Sequence, residues 1–517
     1  MFEAEKSWTG RKSSFARGFR YQYILSEKVE EILSFRHHAG ARWNVHHGNA
    51  LPFCRLRDEK GCQIGFLLGI AVGPTGLICG GAPFLPLDSS DPDFWNKFET
   101  YIVDVAGRYA FVLECAEGAR LYTDPVGMIG AVYNREDRYV ASSVLLAVKR
   151  KVEPNPKFDF ELIEKHGGKL SLFHTADAHV KRLKPNHYLD LANFDEHRFW
   201  PKTEDFTGST RVPLSIYDEI SARTRFNVGE ITGAYKTALP VSGGQDSRLL
   251  LAMSKPHLRD IGQIYTHINN YATRRDDAIA KELCRTLDVP HESHDRRSRA
   301  LPKWEVRRSQ RIYQQTLGVR ASLPKEYTNG VITGVQDGAV ILRGHQTDIL
   351  RAVYVFEPQD RWHEVDWQIE RLLIVPRKMF CEEVADRFRP DFEDWQATLP
   401  ENARQKAADF MFLEVYYNST IGSVFPALWR NFYLSPFNSR RLIGLSLLFS
   451  ERERRQSVPV FDIIERSCPQ LSSVPFDFEL PASLDGMTEP KYYEQFSDRR
   501  TRATSLRFAK YLGSLTD

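Results

Sequence analysis

Segment 240–252, PVSGGQDSRLLLA, contains a glycine-rich turn of a kind that can hold a polyphosphate. Its two adjacent glycines let backbone N–H groups approach an anion closely, and its two serines add hydroxyl donors. A helix starting behind the turn would contribute free N–H groups and the positive end of its dipole. The aspartate in the turn would repel phosphate unless a cation lay between them, so Asp246 predicts bound Mg²⁺. The alternative is an ordinary glycine turn with a Ser/Asp helix cap.

The residues around this turn have the periodicity of alternating strands and helices. GAYKTALPVSGG predicts a buried strand running into the turn, and QDSRLLLAMSK predicts the helix that follows. IGQIYTHI, DDAIAKELCRTLD and AVILRG predict a further strand, helix and strand. Strands that alternate with helices indicate a parallel sheet with right-handed crossovers. From about residue 357 the pattern is predominantly helical.

The first 200 residues have a different pattern. A short helix capped by Ser26 is predicted first. The runs that follow are rich in β-branched and aromatic residues and predict strands: FLLGIAV, GLICGG, RYAFVLEC, ARLYTD, MIGAVYN and RYVASSV. A polar linker at 201–210 separates the two patterns, which predicts domains at 1–204 and 205–517.

The turn and several other segments resemble the asparagine synthetase-like family of the ATP-pyrophosphatase class. SGGQDS is similar to the SGGxDS signature of enzymes that cleave ATP between the α and β phosphates and transfer AMP. DPVG at 124–127, Tyr133 and ASS at 141–143 are similar to the DPxG...Y...ASE run of the glutaminase-type domain in these synthetases. Segments 182–188 and 198–200 are similar to the end of that domain, and SPFNSRRL at 435–442 to the PFxDxxL run near the synthetase C terminus.

The resemblance implies an α/β protein with two domains. The N-terminal one would be a glutaminase-like (Ntn-type) β-sandwich, and the C-terminal one an ATP-pyrophosphatase domain with a parallel sheet and many helices. The nucleotide contacts that it implies are Val241, Ser242, Gly243, Gly244, Asp246, Ser247, Tyr265, Thr266 and Gly344.

A second signature loop of the family, SGxGxDE-like, is replaced here by RGHQTDILRAVY at 343–354. Gly344 and Asp348 keep the spacing, so Asp348 is the expected second carboxylate for Mg²⁺ beside Asp246. Arg343 and Arg351 could hold the departing pyrophosphate, and ordinary surface ion pairing is the alternative for both.

His345 stands where asparagine synthetases have Glu and β-lactam-forming enzymes have Tyr, the group associated with deprotonating the attacking amine. An imidazole can accept that proton, so His345 is the expected general base, unless it only hydrogen-bonds a loop. Related enzymes pair this base with a downstream Glu, for which Glu382 or Glu383 is available.

Other polar residues allow more than one interpretation. Asp276 and Asp277 are predicted to open a helix, where the helix dipole alone favours acids, or to shape a nucleotide pocket in which Tyr265 and Thr266 present backbone to adenine. The histidine pairs at 37–38 and 46–47 are expected in loops or at the surface. The basic segment at 497–511 could attract an anionic substrate, a carrier protein or RNA, or be a solvated helix face.

The second residue departs from the glutamine-dependent members of the family, which carry a nucleophilic cysteine there. Phe2 has no thiol, so glutamine is not the expected nitrogen source. β-Lactam and carbapenam synthetases have likewise lost the glutaminase while keeping the ATP site, and lasso-peptide cyclases also form amides without free ammonia. The resemblance therefore implies an amine supplied by the substrate.

Composition narrows the functional classes and cellular compartments that fit this protein. The 517 residues include 70 Lys+Arg and 67 Asp+Glu, a net charge of +3 that does not favour binding nucleic acid through bulk charge. The seven cysteines are scattered and lack the spacing of metal ligands, and no segment is predicted to be a signal peptide or a membrane span. We therefore expect a reduced cytoplasmic protein, for which a homodimer is possible.

The expected function is an ATP- and Mg²⁺-dependent ligase. It would adenylate a small-molecule or peptide carboxylate, release pyrophosphate and couple the acyl group to an amine, within one molecule or between two. The alternatives are an adenylating enzyme that modifies RNA or nucleotides, and an inactive scaffold of the same fold.

Overall fold

The computed structural model describes residues 1–79, 83–204, 206, 212–354, 361 and 363–479. The protein is mixed α/β, with antiparallel sheets, a parallel sheet and many helices. It forms two compact units. The first comprises 1–205, 307–323 and 357–432, and the second comprises 206–306, 324–356 and 433–517. The first unit thus takes in two later segments that the sequence alone assigned to the second domain.

The first unit contains two antiparallel sheets. The six-stranded sheet has the order β11-β9-β10-β1-β3-β2, and the other has the order β13-β12-β8-β7-β5-β4 with β6 paired to β5. The strands are β1 (Tyr23–Ser26), β2 (Phe35–Ala39), β3 (Asn44–Gly48), β4 (Phe53–Arg57), β5 (Gln63–Gly73), β6 (Gly76–Leu77), β7 (Ala106–Cys115), β8 (Gly118–Thr123), β9 (Val132–Asn134), β10 (Tyr139–Ala141), β11 (Val180–Arg182), β12 (His187–Asp190) and β13 (Glu196–Arg198).

Strand β5 is buried at every residue after Gln63, so both faces of this part of its sheet are covered. The strands predicted at FLLGIAV, RYAFVLEC and ARLYTD are confirmed as β5, β7 and β8. GLICGG forms only the two-residue β6, and its last two residues, Gly80 and Gly81, lie outside the described ranges.

The helix predicted from Ser26 is wrong. Ser26 is the last residue of β1 and pairs with Asn44 of β3, while Val29, expected on the helix face, is 64% exposed. Pairing of β1 with β3 and β10 outweighs the local helical pattern, since propensity is a weak determinant beside tertiary contacts.

Helices cover parts of the first unit. The N-terminal ones pack with the six-stranded sheet in one apolar core, where the ring of Phe2 is fully buried and lies 5.0 Å from that of Tyr139. The helices of this unit are Glu3–Lys6, Lys12–Gly18, Phe94–Tyr101, Ile102–Asp104, Val144–Leu146, Phe160–His166, Val365–Arg371, Arg377–Met379, Glu382–Ala397, Glu401–Arg404, Ala407–Phe410, Met411–Tyr416, Asn418–Gly422 and Phe425–Ala427, with most of Lys303–Leu317.

The second unit is built on a five-stranded sheet with the order β16-β15-β14-β17-β18. Its strands are β14 (Thr237–Pro240), β15 (Gln263–Ile268), β16 (Glu292–Asp295), β17 (Val340–Leu342) and β18 (Phe432–Leu434). The pairs β14–β15, β14–β17 and β15–β16 are parallel, which confirms the predicted parallel sheet. Its helices are Leu214–Ala234, Gln245–Met253, Lys255–His257, Tyr271–Thr286, Lys325–Thr328, Val331–Gly334, Thr347–Arg351, Arg440–Leu447, Glu451–Arg455, Val458–Ser467, Pro469–Ser473 and Asp477–Glu479.

Three further features bear on the sequence predictions. Among the described residues, none of the helices combines the length and apolar character needed to cross a membrane. All seven cysteines are free thiols. The basic segment at 497–511 lies outside the described ranges.

Candidate functional site

The predicted phosphate-binding turn follows β14, in the middle of the parallel sheet. From β14 the chain continues to β15 and β16 on one side, and then returns to place β17 on the other side of β14. The carboxyl ends of β14 and β17 therefore flank the point where the strand order reverses. Ligands of open α/β sheets bind in the crevice at such points.

Strand β15 holds the beginning of the turn. The Val241 N–H donates to the carbonyl oxygen of Tyr265 at 2.8 Å, and the Thr266 hydroxyl donates to the Val241 carbonyl at 2.6 Å. The Thr266 hydroxyl also lies 2.9 Å from Nε2 of His291. The Tyr265 carbonyl and the Thr266 hydroxyl therefore hold the turn against the sheet. Both residues were predicted to present backbone to adenine, and the Tyr265 carbonyl already accepts a hydrogen bond from Val241.

Inside the turn, the two serines close the loop. Ser242 N–H donates to Oγ of Ser247 at 3.0 Å, and the two hydroxyl oxygens lie 2.9 Å apart. Gly244 N–H donates to the Ser242 hydroxyl at 3.3 Å, and the predicted helix begins with the next residue as Gln245–Met253. The strand-turn-helix arrangement expected from the sequence is confirmed.

Gly243 is surrounded closely by side chains from two other segments. A Cβ added there would lie 2.6 Å from Cδ1 of Ile279 and 3.0 Å from Cβ of Asp477. Its N–H donates to Oδ1 of Asp276 at 3.0 Å, and its carbonyl accepts a hydrogen bond from the Asp477 N–H at 3.1 Å. One turn N–H predicted to meet phosphate is therefore bonded to a carboxylate in this structure.

The prediction that Asp276 and Asp277 open a helix is wrong. The helix is Tyr271–Thr286, and Asn270 caps it by accepting a hydrogen bond from the Thr273 N–H. The cap that decides the start lies six residues earlier than the acidic pair, because the asparagine side chain satisfies an otherwise free N–H group. Burial raises the pKa of Asp276 to about 6, the Gly243 N–H opposes the rise, and the charge of Asp477 adds to it.

The loop after β17 packs directly on the turn. A Cβ added to Gly344 would lie 2.8 Å from the carbonyl oxygen of Asp246, which is too close for a side chain. Arg343 N–H donates to the Leu434 carbonyl at 2.8 Å, and the Ser435 hydroxyl donates to the His345 carbonyl at 2.7 Å. Glycine at 344 is what lets the two loops meet.

Asp246 and Asp348, the two predicted Mg²⁺ ligands, meet at Arg351. Nε of Arg351 donates to Oδ1 of Asp246 at 3.0 Å, and its Nη2 donates to Oδ2 of Asp246 at 2.5 Å and to Oδ1 of Asp348 at 2.7 Å. The Thr347 hydroxyl is 3.1 Å from Oδ1 of Asp246. The sequence predicted that the two carboxylates lie together, but it did not predict that Arg351 bridges them.

The charges at this cluster suit an added cation. Burial raises the pKa of Asp246, Arg351 opposes the rise, and Asp348 adds to it. Two carboxylates against one guanidinium leave a negative charge when both are ionised, and Mg²⁺ commonly takes one or two carboxylates with waters in its other positions. Asp246 and Asp348 have the donor chemistry for that ion. In the described ranges, however, no cluster of three or more His, Cys, Asp or Glu residues is arranged to hold a metal.

The two residues predicted to move a proton differ in their surroundings. His345 is half-buried in the loop after β17. Burial lowers its pKa to about 3, Arg343 lowers it further, and Asp348 opposes the shift, so the imidazole is uncharged at neutral pH. Glu382 is exposed at the first position of helix Glu382–Ala397, in the first unit. Glu383 is also exposed and pairs with Arg387 at 3.0 Å.

Some residues at the site had no sequence signal. Asp477 lies far downstream in no motif, and the pKa of its carboxyl is raised by burial. Arg454 donates from Nη1 to the Ile349 carbonyl at 3.0 Å, and the Ser457 hydroxyl donates to Oε1 of Gln245 at 3.1 Å.

A comparison of the sequence with protein-family models and with curated proteins found no match.

Proposed function

We propose that this protein is an ATP-dependent carbon–nitrogen ligase of the asparagine synthetase-like type, which adenylates a carboxylate and couples it to an amine. The observation that carries the proposal is the meeting of the SGGQDS turn with the loop of Asp348 at the carboxyl ends of β14 and β17. A glycine turn, a helix N terminus and a carboxylate pair at a switch point form a suitable environment for a nucleotide with its cation.

In the first step, an oxygen of the substrate carboxylate attacks the α-phosphorus of ATP, and the bond to the bridging oxygen of pyrophosphate breaks. The Gly244 N–H and the hydroxyls of Ser242 and Ser247 would donate to the phosphate oxygens in place of the hydrogen bonds that they make within the turn. Arg351, which bridges Asp246 and Asp348, would bind the departing pyrophosphate. Asp246 and Asp348 would hold Mg²⁺, which supplies charge neutralisation for the phosphates when bound.

In the second step, an amine nitrogen attacks the acyl carbon of the adenylate and AMP leaves. The amine must lose a proton, and an uncharged imidazole can accept it. The lowered pKa of His345 keeps that ring uncharged at neutral pH, although it also makes the ring a weaker base. His345 is the proposed acceptor.

Glutamine is not the proposed nitrogen source. Phe2 occupies the position of the family's nucleophilic cysteine, and its ring is fully buried against Tyr139. Residues 1–204 would then be a degenerate glutaminase-like domain, for which the two antiparallel sheets formed by this part of the chain give partial support.

The test is the identity of the products. ATP, Mg²⁺ and a panel of carboxylates and amines should yield AMP and pyrophosphate, measured by chromatography of labelled ATP. Formation of ADP and phosphate would contradict adenylation. Pyrophosphate release that requires added RNA would favour the RNA-modifying alternative.

An inactive scaffold is distinguished by binding alone. We expect calorimetric titration with ATP to show binding that strengthens when Mg²⁺ is added, because the metal screens Asp246 from phosphate. A scaffold that has lost the chemistry should show no metal-dependent binding.

A further inference from the structure

A cavity of about 590 Å³ lies within the first unit, apart from the turn and the loops described above. Three parts of the chain line it. They are the region around β9 and β11, the end of helix Lys303–Leu317 with the residues after it, and the π-helix Asn418–Gly422 with the two residues after it. All of these lining residues belong to the first unit. Its size is in the range of sites for small organic molecules.

Arg182, at the end of β11, lines this cavity with only 7% of its surface exposed. Its backbone N–H donates to the Phe173 carbonyl, but its buried Nε has no hydrogen-bond partner. Across the described ranges, no hydrogen bond or ion pair to its guanidinium is present. Burial lowers the pKa of Arg182 to about 10, which leaves the group charged at neutral pH.

A buried arginine without a partner lowers the stability of the folded protein. A buried charge without a partner is unfavourable, and proteins normally pair it with an acid or with several acceptors. A bound anion would supply the missing partner, and Arg is suited to it because its planar fork can make two parallel hydrogen bonds to one carboxylate.

The other charges of the lining also favour an anion. Lys169 is half-buried there, and burial lowers the pKa of its ammonium group. The acidic residue of the lining is Glu164, which is 51% exposed and lies 3.4 Å from Arg320. Arg182 and Lys169 thus remain as cations that the lining does not balance.

The rest of the lining fits an apolar molecule. Several aliphatic and aromatic side chains contribute to the wall, among them Val132, Val144, Val152, Phe160, Ile163 and Val424. Hydroxyl groups of the wall already donate within the protein: Ser143 to Gln22 at 2.6 Å and Thr420 to the Tyr416 carbonyl at 2.7 Å. Arg182 and Lys169 are therefore the charged groups that can recognise the polar end of a ligand.

From the cavity, its apolar wall and the buried guanidinium of Arg182, we infer that the first unit binds an organic carboxylate with an apolar body, whose carboxylate pairs with Arg182 and Lys169. The inference does not depend on the adenylating activity proposed above, because it concerns a different unit and different residues.

The test is calorimetric titration of the full-length protein with straight-chain carboxylates from butanoate to dodecanoate and with benzoate. Octanoate should bind more tightly than 1-octanol, which lacks the charge, and than octylamine, which has the opposite charge. Inorganic phosphate, an anion without an apolar body, should bind more weakly than octanoate. If none of these carboxylates binds, or if octanol and octylamine bind as tightly as octanoate, the inference is wrong.

Substitutions give a second test. Arg182→Met should weaken octanoate binding by about tenfold or more, since a hydrogen bond to a charged group typically accounts for such a factor. Lys169→Met should weaken it less. Arg135→Met, at a site 62% exposed in the same unit, is the matched control and should leave the affinity unchanged.

The Arg182→Met protein should still fold, because replacing a buried unpaired charge by an apolar side chain is neutral or stabilising. We expect a melting temperature equal to or above that of the unmodified protein without ligand, together with loss of the upward shift caused by octanoate. A folded Arg182→Met protein that binds octanoate as the unmodified protein does would overturn the inference.

Discussion

At the scale of single residues, the site depends on a balance of charge between two aspartates and one arginine. Arg351 donates to Asp246 and Asp348 from the same nitrogen, so a cation that binds both carboxylates competes with a guanidinium. Removing either carboxylate removes half of the proposed ligand pair while leaving the turn itself in place.

We expect Asp246→Asn and Asp348→Asn each to lower pyrophosphate release by about 100-fold or more, since electrostatic groups at a reaction centre commonly contribute this much. Both should also abolish the strengthening of ATP binding by Mg²⁺, measured by calorimetry. Asp288→Asn, at an exposed position of the same unit, is the control. Full turnover in both site variants would contradict the proposed function.

The surroundings of His345 predict how the rate of amide formation depends on pH. Because burial and Arg343 lower the pKa of its imidazole to about 3, the ring stays uncharged throughout the range from pH 6 to pH 8. The rate of amide formation should show no ionisation of His345 in that range, while His345→Gln should lower the rate at every pH within it. A limb near pH 6.5 that disappears in His345→Gln would show that the pKa is not lowered.

At the scale of elements, the close approach of two loops is decided by one glycine. Gly344→Ala would put a methyl group 2.8 Å from the Asp246 carbonyl, and the backbone there cannot yield as a flexible side chain would. We expect a loss of about 1 to 3 kcal/mol in the free energy of unfolding and weaker ATP binding.

The matched control for Gly344→Ala is Gly233→Ala, in helix Leu214–Ala234, where an added Cβ meets no atom within 4 Å. This substitution should stabilise the protein by about 0.5 to 1 kcal/mol through helix propensity. Equal effects of the two substitutions in urea titrations would show that the loops do not approach as described.

A buried ion pair fixes the π-helix Met411–Tyr416 to the end of β13 within the first unit. Glu414 is fully buried and accepts hydrogen bonds from Arg198 at 2.8 and 2.7 Å, from Trp395 at 2.8 Å and from Asn186 at 2.8 Å. This network explains why part of segment 357–432 belongs with the N-terminal strands.

Glu414→Gln should lower the free energy of unfolding by about 3 to 5 kcal/mol, because it leaves the buried charge of Arg198 without its acidic partner. The remaining partners of Arg198 are the uncharged Thr398 hydroxyl and Trp200 carbonyl. Chemical denaturation followed by tryptophan fluorescence measures the change. Glu136→Gln, at a residue whose side chain is 70% exposed, should have little effect. A small effect of Glu414→Gln would mean that the network does not fix this segment.

At the scale of the whole molecule, buried histidines link stability to pH. The histidine pairs were predicted to lie in loops or at the surface. All four lie on strands; His37 of β2 is exposed, but His46 and His47 of β3 are buried, so the prediction is wrong for that pair. His47 stacks on His38 with ring centres 5.2 Å apart, and its Nε2 lies 3.2 Å from Nε2 of His38. Burial lowers the pKa of His47 to about 4, and the charges of His38 and Arg36 contribute to the decrease. The hydrogen bond with the Gly48 carbonyl opposes it.

The folded-state pKa of His47 is thus below its ordinary value of 6.5, so unfolding takes up a proton between these values. The stabilising effect is complete above pH 6.5 and is lost as the pH falls toward 4. One such histidine should reduce the free energy of unfolding by about 2 kcal/mol between pH 7 and pH 5.

His47→Gln should remove this part of the pH dependence, measured as the difference between urea titrations at the two pH values. His197→Gln, at an exposed residue of the first unit, is the control and should leave the difference unchanged. An unchanged difference in His47→Gln would mean that His47 does not take up a proton on unfolding.

The sequence determined the types of most elements and the chemistry of the turn. The β-branched and aromatic composition of FLLGIAV and RYAFVLEC, and the strand-turn-helix pattern around SGGQDS, are local properties. Strands β5, β7 and β14 and helix Gln245–Met253 follow from them. The resemblance of segment 343–354 to a second signature loop also predicted Asp348 as a carboxylate beside Asp246, and both accept hydrogen bonds from Arg351. These features depend on neighbouring residues in the chain, so they can be read without knowing the fold.

Tertiary structure alone decided the rest. Ser26 ends a strand because β3 and β10 pair with β1, Asp276 reaches Gly243 because two strands lie side by side, and Arg182 faces a cavity formed by three distant segments. Residues 307–323 and 357–432 join the N-terminal unit through contacts with residues hundreds of positions away. Such contacts leave no periodic signal in the sequence, since each depends on packing and charge that exist only once the chain has folded.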